Sequence, residues 1–315
     1  MLDPRTHRRH RIRNVAQAAL LFGGMAVVLG GLALLLAGAI GVLWVLLAFA
    51  VVVALRPRVP PRWLLSMYGA RPLPYAVAPE LHHYVAALAQ RAGLPATPRL
   101  YYVASPMANA FAVGRPDDAA LAVTDGLLRS LTAREVVGVL AHEVGHIRAD
   151  DLWVMSLGDA VGRLTHALAY VGLLLLLLSL PLTAAGGSSP LWPAVLLTAA
   201  PTVVTLLQLA LSRSREYDAD LEAAALTGDP EGLASALVRL ERLEGRIWER
   251  VIVPRRRAPD PLLLRTHPPT AERVRRLRQL VPREERRLGD SRRIPPAGYP
   301  PVRSPARLRP PGVRW

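Results

Sequence analysis

Two long blocks without a charged side chain constrain this chain more than any other feature. They run from Val15 to Leu55 and from Leu164 to Ser212. A helix crosses a bilayer with about 20 apolar residues, so each block is too long for one crossing and suits two. Soluble cores rarely contain such uncharged runs twice in one chain. The pattern therefore predicts four membrane-spanning helices, arranged as two hairpins.

Glycine marks the predicted turn of each hairpin. In the first block Gly30-Gly31 is the preferred break, and Gly38 and Gly41 are the alternatives. In the second block the turn is predicted at the cluster GGSSP, residues 186–190. A signal peptide is the other interpretation of the N-terminus. It is disfavoured because more apolar sequence, rather than a cleavage site and a polar chain, follows residue 31.

The net charge of +15 does not by itself predict a nucleic-acid-binding protein. All 39 basic residues are Arg, and they lie outside the two apolar blocks. Arg-rich segments flank both blocks, and positively charged flanks stay in the cytoplasm. Both termini and the region between the hairpins are therefore predicted on the cytoplasmic side of a bacterial inner membrane. The expected partner is the lipid bilayer, and no nucleic acid is expected.

The sequence HEVGH has the spacing of a metal-binding helix. Thr132 and Glu135 are a predicted capping box at the start of this helix. His142 and His146, four residues apart, project from one face, where a single ion can bridge them. Glu143 is rotated by about 100° from His142, which suits a base acting on water at the metal. The alternative is two surface His on an ordinary helix.

A catalytic zinc site takes three protein ligands, and the two His supply only two. The chain has no Cys, so a carboxylate or another His must be the third. Glu216, just past the second apolar block, is the candidate; the alternative is a solvated charge at the membrane edge. Asp220 shares its helix face and could orient a ligating imidazole, and Asp151 could have a similar role. The two predicted crossings before Glu216 keep all these residues on one side of the membrane.

Three longer segments resemble the HtpX-like membrane metallopeptidases, relatives of the CAAX prenyl endopeptidases. They are the stretch from MANAFAVG to HIRADD, the stretch SRSREYDADLEAAALTGDPEGLASALVRLE and the stretch THPPTAERVRRL. The family comprises zinc endopeptidases with a cytosolic site that act on membrane proteins, often damaged ones. The resemblance implies Zn²⁺ as the cofactor, with ligands His142, His146 and Glu216, the catalytic carboxylate Glu143, and the supporting residues Asp151 and Asp220.

The resemblance also implies residues that contact substrate. Asn109, Ala110 and Phe111 match a strand beside the cleft, and an edge strand there could hold an extended peptide by main-chain hydrogen bonds. The alternative is ordinary sheet structure. His267 matches a His-Pro near the family's cleft. It could stabilise an oxyanion, or it could cap the helix that begins at Thr270.

The predicted fold is a mainly α integral membrane protein. It has four transmembrane helices and a cytosolic zincin-type α+β metalloprotease domain with a small sheet. The predicted segments are a basic N-terminus (1–14), the first hairpin (15–55), a protease region (56–163), the second hairpin (164–212), a second protease region (213–281) and a disordered Pro/Arg-rich tail (282–315).

The predicted function is zinc-dependent hydrolysis of peptide bonds in membrane or membrane-associated proteins, in protein quality control. The expected partners are membrane protein or peptide substrates. Two alternatives remain open: a catalytically inactive membrane scaffold, and a regulatory protease of a signalling pathway.

Overall fold

A computed structural model describes residues 4–55, 60–184, 191–250 and 269–280 of the chain. The predicted GGSSP turn, His267 and the predicted tail lie outside these residues. The elements of the described part are α1 (Pro4–Leu55), α2 (Pro61–Met67), β1 (Arg71–Pro72), α3 (Pro79–Ala92), β2 (Arg99–Val103), β3 (Ala110–Val113), β4 (Ala120–Thr124), α4 (Asp125–Ser130), α5 (Ala133–Arg148), α6 (Asp151–Ala184), α7 (Leu191–Thr227), α8 (Pro230–Arg250) and α9 (Thr270–Gln279).

The chain forms two compact units. We call residues 9–58 and 153–214 the apolar unit, and the remainder, chiefly residues 59–152 and the chain from 215 onward, the sheet unit. The predominance of helix and the presence of a small sheet confirm that part of the predicted fold.

The sheet unit is built on four strands in the order β1-β2-β4-β3. Strands β2 and β4 are parallel, whereas the other two pairs are antiparallel. All five residues of the central strand β4 are buried, as expected for a strand covered on both faces. Leu121 and Val123 join a large core with the helices, and Ala120 and Ala122 join a smaller core with α2. Because β3 comes last in the strand order, it forms one edge of the sheet.

Helix α5 lies at the centre of the larger core. Its apolar positions, from Val136 to Val144, pack with residues of α3, α8 and α9. The contact with α8 is close, because a Cβ added at Gly138 would lie 2.9 Å from the backbone nitrogen of Leu233. This helix carries the HEVGH sequence, so the core fixes the position of the two His.

The predicted capping box at the start of α5 is confirmed. Thr132 Oγ1 accepts a hydrogen bond from the backbone of Glu135, whose carboxylate accepts one from the backbone of Thr132 in return. The same carboxylate accepts hydrogen bonds from Ser235 Oγ at 2.6 Å and Arg239 Nη1 at 2.9 Å, both on α8. After α5 ends, Asp150 adopts a left-handed conformation with φ of 53°, and α6 begins at the next residue.

The apolar unit has its own core of aliphatic side chains from α1, α6 and α7. Three helical stretches in the described residues are long and apolar enough to cross a membrane: Ala19–Val52, Asp151–Ser179 and Leu191–Thr227. Helices α6 and α7 each extend beyond the uncharged block that predicted them. The described residues of the two uncharged blocks thus lie in α1, α6 and α7, and α6 and α7 also include charged residues outside the second block.

The first apolar block is interrupted at Gly38 and not at the preferred Gly30-Gly31, which is helical. Gly38 has φ of 63° and ψ of −155°, a backbone conformation that glycine adopts readily. A Cβ added at Gly41 would overlap the carbonyl oxygen of Ala33. Residues eight apart in a straight helix are about 12 Å apart, so the chain changes direction sharply at Gly38.

Candidate metal centre

His142 and His146 project from one face of α5 toward the same point. Their Nε2 atoms lie 3.2 Å apart, and their rings are nearly perpendicular. Both side chains are largely buried in the sheet unit. Two imidazole nitrogens at this separation repel each other through their lone pairs unless a proton or a cation lies between them.

Helix α7 brings Glu216 to the same point. Glu216 Oε2 lies 3.5 Å from His142 Nε2, and Oε1 lies 3.7 Å from His146 Nε2. Gly145 allows the two helices to come this close, because a Cβ there would lie 3.3 Å from the Cα of Ala219. The structure thus brings together the three residues that the sequence analysis predicted as ligands.

The spacing of these donor atoms fits a zinc ion. Zinc binds nitrogen and oxygen at about 2.0–2.2 Å in tetrahedral geometry, which places neighbouring donors about 3.3–3.6 Å apart. The two Nε2 atoms are 3.2 Å apart, and they lie 3.5 and 3.7 Å from the two different carboxylate oxygens of Glu216. Two imidazoles and one carboxylate are also a donor set that zinc uses in catalytic sites. The residues present therefore fit a divalent ion of this kind.

Each His has a carboxylate on its other ring nitrogen. Asp220 Oδ1 lies 3.1 Å from His142 Nδ1, and Asp151 Oδ2 lies 3.0 Å from His146 Nδ1. An ionised carboxylate only accepts, so each Nδ1 must carry the donated hydrogen. This arrangement leaves both Nε2 lone pairs free for a metal ion.

Two arginines complete the site, and the sequence analysis missed both. Arg273 on α9 donates to both oxygens of Asp220, at 2.6 and 2.8 Å, and lies 2.9 Å from Glu216 Oε2. Arg215 Nη1 lies 3.1 Å from Asp151 Oδ1. Arg273 lies four residues before the buried Leu277, but Arg278 likewise lies four residues after the buried Val274, so helical spacing alone would not have singled out Arg273.

Glu143 lies beside the three donors without being one of them. Its Oε2 accepts a hydrogen bond from the backbone N–H of Ala112 at 3.0 Å. Burial raises the pKa of Glu143. The carboxylate is thus held by the edge strand β3, a contact that helical geometry around α5 could not reveal.

The negative charges of the site are balanced only when a cation is bound or both His are protonated. Its ionisable side chains other than His are four carboxylates and two guanidinium groups: Glu143, Asp151, Glu216, Asp220, Arg215 and Arg273. Burial alone would lower the pKa of His142, but its hydrogen bonds with Asp220 and Glu216 raise it to about 10. The pKa of His146 is also raised, because Asp151 outweighs the effect of burial. The four carboxylates and two guanidinium groups leave two excess negative charges. Either two protons on the His or one divalent ion would balance these charges.

Three of the predicted substrate-binding residues, Asn109, Ala110 and Phe111, lie at or beside the free edge of the sheet, where no strand of the described residues pairs with the outer side of β3. The side chains of Ala110 and Phe111 are buried in the cores, so only their backbone could meet a peptide. The backbone of Asn109 is bound to Thr124, whose Oγ1 accepts from its N–H and donates to its carbonyl, both at 2.8 Å. Alternation along the strand then directs the backbone groups of Ala110 and Ala112 toward the free edge.

Known proteins resemble this chain over most of its length. The profile of peptidase family M48 matches residues 76–281. A protein named Protease HtpX homolog from Acidiphilium cryptum is 40% identical over 237 residues, covering 70% of this chain and 80% of that protein. A protein of the same name from Kineococcus radiotolerans is 36% identical over 297 residues, covering 86% of this chain and 98% of that protein.

A crystal structure of S. mikatae Ste24p also matches, with 22% identity and a TM-score of 0.45, over 85% of this chain and 66% of that one. The family match spans the HEVGH sequence on α5 and Glu216 on α7, and the apolar stretches of α6 and α7 lie between them in the sequence. The chain therefore belongs to peptidase family M48, as an HtpX-like membrane metallopeptidase.

Proposed function

We propose that the chain is a zinc-dependent endopeptidase that cleaves membrane or membrane-associated proteins at a cytosolic site. The observation that supports this most directly is that His142, His146 and Glu216 each offer a donor atom within 4.8 Å of the others, a set of side chains that suits catalytic zinc. Glu143 lies next to this set and contributes no donor to it. A carboxylate that lies beside the ion without binding it is the group that a base for metal-bound water requires. A site that only stored a metal would not need this group.

The proposed reaction is attack of water on a peptide carbonyl. Zinc at the three donors would supply a Lewis acid that polarises the carbonyl and lowers the pKa of water to about 7. Glu143 takes the proton from the attacking water and later delivers it to the leaving amine. Asp151 and Asp220 hold the two imidazoles in the tautomer that directs Nε2 to the ion.

An extended peptide would bind along the free edge of β3. The outward backbone groups of Ala110 and Ala112 can extend the sheet by one strand, which is a common way for proteins to hold peptides. The hydrogen bond between Ala112 and Glu143 connects this edge directly to the proposed catalytic carboxylate. Side-chain selectivity would then come from neighbouring surfaces, since the side chains of Ala110 and Phe111 are buried.

The proposed membrane topology has four crossings. The sharp turn at Gly38 supports two crossings in the first block. Val45 also supports them, because it packs against the cluster that includes Leu29, although a straight helix would separate these two residues by about 24 Å. Helices α6 and α7 would supply the other two. With two crossings between them, α5 and Glu216 emerge on one side, and the Arg-rich flanks favour the cytoplasm.

The topology can be tested with single cysteines, because the natural chain has none. Cells producing Ala149→Cys, Arg213→Cys or Ala39→Cys would be treated with a membrane-impermeant thiol reagent. We expect labelling of Ala39→Cys in intact cells, and labelling of the other two only after the membrane is opened. Labelling of only one of Ala149→Cys and Arg213→Cys in intact cells would contradict a site assembled on one side.

The catalytic proposal is tested with Glu143→Gln, which keeps the side-chain shape and removes the base. We expect one zinc per chain in both wild type and variant, and loss of peptide cleavage in the variant alone. Glu80→Gln, an exposed change on α3, is the matched control and should cleave like wild type. Cleavage by purified Glu143→Gln at the wild-type rate would refute the role of Glu143.

The inactive-scaffold alternative predicts a different result. A scaffold would bind its partners with or without metal, whereas the enzyme should lose both zinc and cleavage in His142→Ala. A role in quality control rests on the family resemblance alone. Glu143→Gln would be used to capture uncleaved substrates in cells, and recovery of damaged or misassembled membrane proteins is the result expected for that role.

A further inference from the structure

His142 and His146 have the same kinds of hydrogen-bond and ion-pair partners on the side away from the metal position. His142 is bound by Asp220, which is bound by Arg273. His146 is bound by Asp151, which is bound by Arg215. Each imidazole therefore has a carboxylate on Nδ1 and a guanidinium group behind that carboxylate. The four supporting residues come from α6, α7 and α9, and none lies on α5, which carries both His.

The His146 branch depends on one carboxylate with two partners. Asp151 is 2% exposed; its Oδ2 lies 3.0 Å from His146 Nδ1, and its Oδ1 lies 3.1 Å from Arg215 Nη1. Arg215 is also largely buried, with 14% of its side chain exposed. The carboxylate is thus removed from solvent and is held between a donor at the site and a fixed positive charge.

A neutral imidazole as the only partner of a buried carboxylate does little to offset the cost of removing the carboxylate from water. Removing such a group from water is costly, and a facing charge offsets this cost far better than a neutral donor does. Without Arg215, the Asp151 carboxylate would turn toward solvent. It would then no longer fix the Nδ1 hydrogen of His146, and the imidazole would be free to rotate away from the ion.

We propose that Arg215 is a positioning residue that holds the Asp151 carboxylate in its orientation, so that His146 directs Nε2 to the metal. The proposal rests on the proposed function, because it takes zinc as the ligand of the site. Arg215 directly precedes Glu216, so one turn of α7 supplies a ligand and also the charge that orients another ligand. Arg215 touches neither the substrate nor the reacting atoms.

The test measures zinc affinity on the purified full-length chain, by competition with a chromogenic chelator. Replacing a residue that supports a metal ligand without binding the metal weakens metal affinity by about 10–100-fold. We expect a loss of zinc affinity in this range for Arg215→Ala. Arg215→Lys, which keeps the charge, should lose less. Arg213→Ala is the matched control, since it removes an exposed Arg two residues earlier on the same helix and should bind zinc like wild type.

A double variant separates positioning from a simple helix contact. If Arg215 acts through Asp151, then Arg215→Ala added to Asp151→Asn should change zinc affinity by less than about threefold. Melting of the metal-free proteins is measured in parallel. A purely structural contact would lower that melting temperature in proportion to any loss of zinc, and Arg215→Lys would not restore zinc binding.

The possible failures can be told apart. Absence of zinc binding by wild type, or unchanged binding by His142→Ala, would refute the proposed function. Tight zinc binding by Arg215→Ala alongside its loss in His142→Ala would refute only the positioning role, and multiplied effects in the double variant would do the same. Should Arg215→Ala fail to fold, Arg215→Gln, which removes the charge and keeps much of the side-chain length, decides: weaker zinc binding with unchanged metal-free melting supports the role, and unchanged binding overturns it.

Discussion

Replacing Glu135 with Ala removes the acceptor that joins the start of α5 to α8. In the wild type, its carboxylate accepts hydrogen bonds from the backbone and hydroxyl of Thr132 at 2.8 and 2.9 Å. It also accepts from Ser235 at 2.6 Å and from Arg239 at 2.9 Å. The substitution leaves the metal ligands unchanged, so it tests the support of α5 separately from the chemistry.

The expected cost follows from these contacts. Loss of the hydrogen bond from the Thr132 backbone to the Glu135 carboxylate, one half of the capping box, costs about 1 kcal/mol. The hydrogen bond from Ser235 to a charged acceptor contributes about 1.5–3 kcal/mol. The ion pair with Arg239 adds less than about 1 kcal/mol, because half of the arginine side chain is exposed. We expect Glu135→Ala to lower the free energy of unfolding by about 3 kcal/mol, or the melting temperature by about 6–12 °C.

The stabilisation that Glu135 provides should decrease at acidic pH. Burial alone would raise the pKa of Glu135, but hydrogen bonds from Ser235 and Thr132 lower it below its ordinary value of 4.5. The stabilisation by Glu135 is therefore complete above pH 4.5 and is lost as the pH falls through the lower pKa of the folded protein. The difference in melting temperature between wild type and Glu135→Ala should be constant from pH 8 to pH 6 and shrink below pH 4.5.

The assay is thermal denaturation of the purified chain in detergent, with Glu241→Ala, an exposed change on α8, as the control. The control should change the free energy of unfolding by less than about 0.5 kcal/mol. A double variant with Ser235→Ala should lose less than the sum of the two single changes. A difference between wild type and Glu135→Ala that grows as the medium becomes acidic would show the reasoning to be wrong.

Three further predictions concern the metal centre. Gly145→Ala should weaken zinc binding, because the added Cβ displaces α7 from α5 by a few tenths of an ångström; competition with a chelator measures this, and wild-type affinity would contradict it. Arg273→Met should lower the free energy of unfolding by about 3–5 kcal/mol, since two buried carboxylates lose their partner, whereas exposed Arg275→Met should not. Chelation should lower the melting temperature of wild type but not of His142→Ala; a hundredfold excess of zinc over its dissociation constant contributes about 2.7 kcal/mol.

The local parts of the site were predictable, and the long-range parts were not. The spacing of His142 and His146 and the capping box at Thr132 depend on one helix, so the sequence determines them directly. Glu216 was predictable because the site needs a third ligand and the chain has no Cys to supply it. The arginines Arg215 and Arg273 were missed because their burial depends on packing between distant segments, and the chain has many other Arg with similar spacing.

The apolar blocks illustrate the same limit. Absence of charge located the membrane-crossing candidates, because few other structures tolerate it over such lengths. It did not locate the interruption in the first block, since Gly30, Gly31, Gly38 and Gly41 all permit one. Tertiary packing around α1 decides among them, and that information is spread over α6 and α7.

The hydrogen bond from Ala112 to Glu143 has a consequence for the timing of catalysis. A peptide that lengthened the sheet as far as Ala112 would need the same amide hydrogen that the glutamate already occupies. Arrival of the peptide would then release the carboxylate from β3 and leave it available to water. Binding of the peptide substrate and release of Glu143 would therefore occur together. Without a bound peptide, Glu143 would stay hydrogen-bonded to β3.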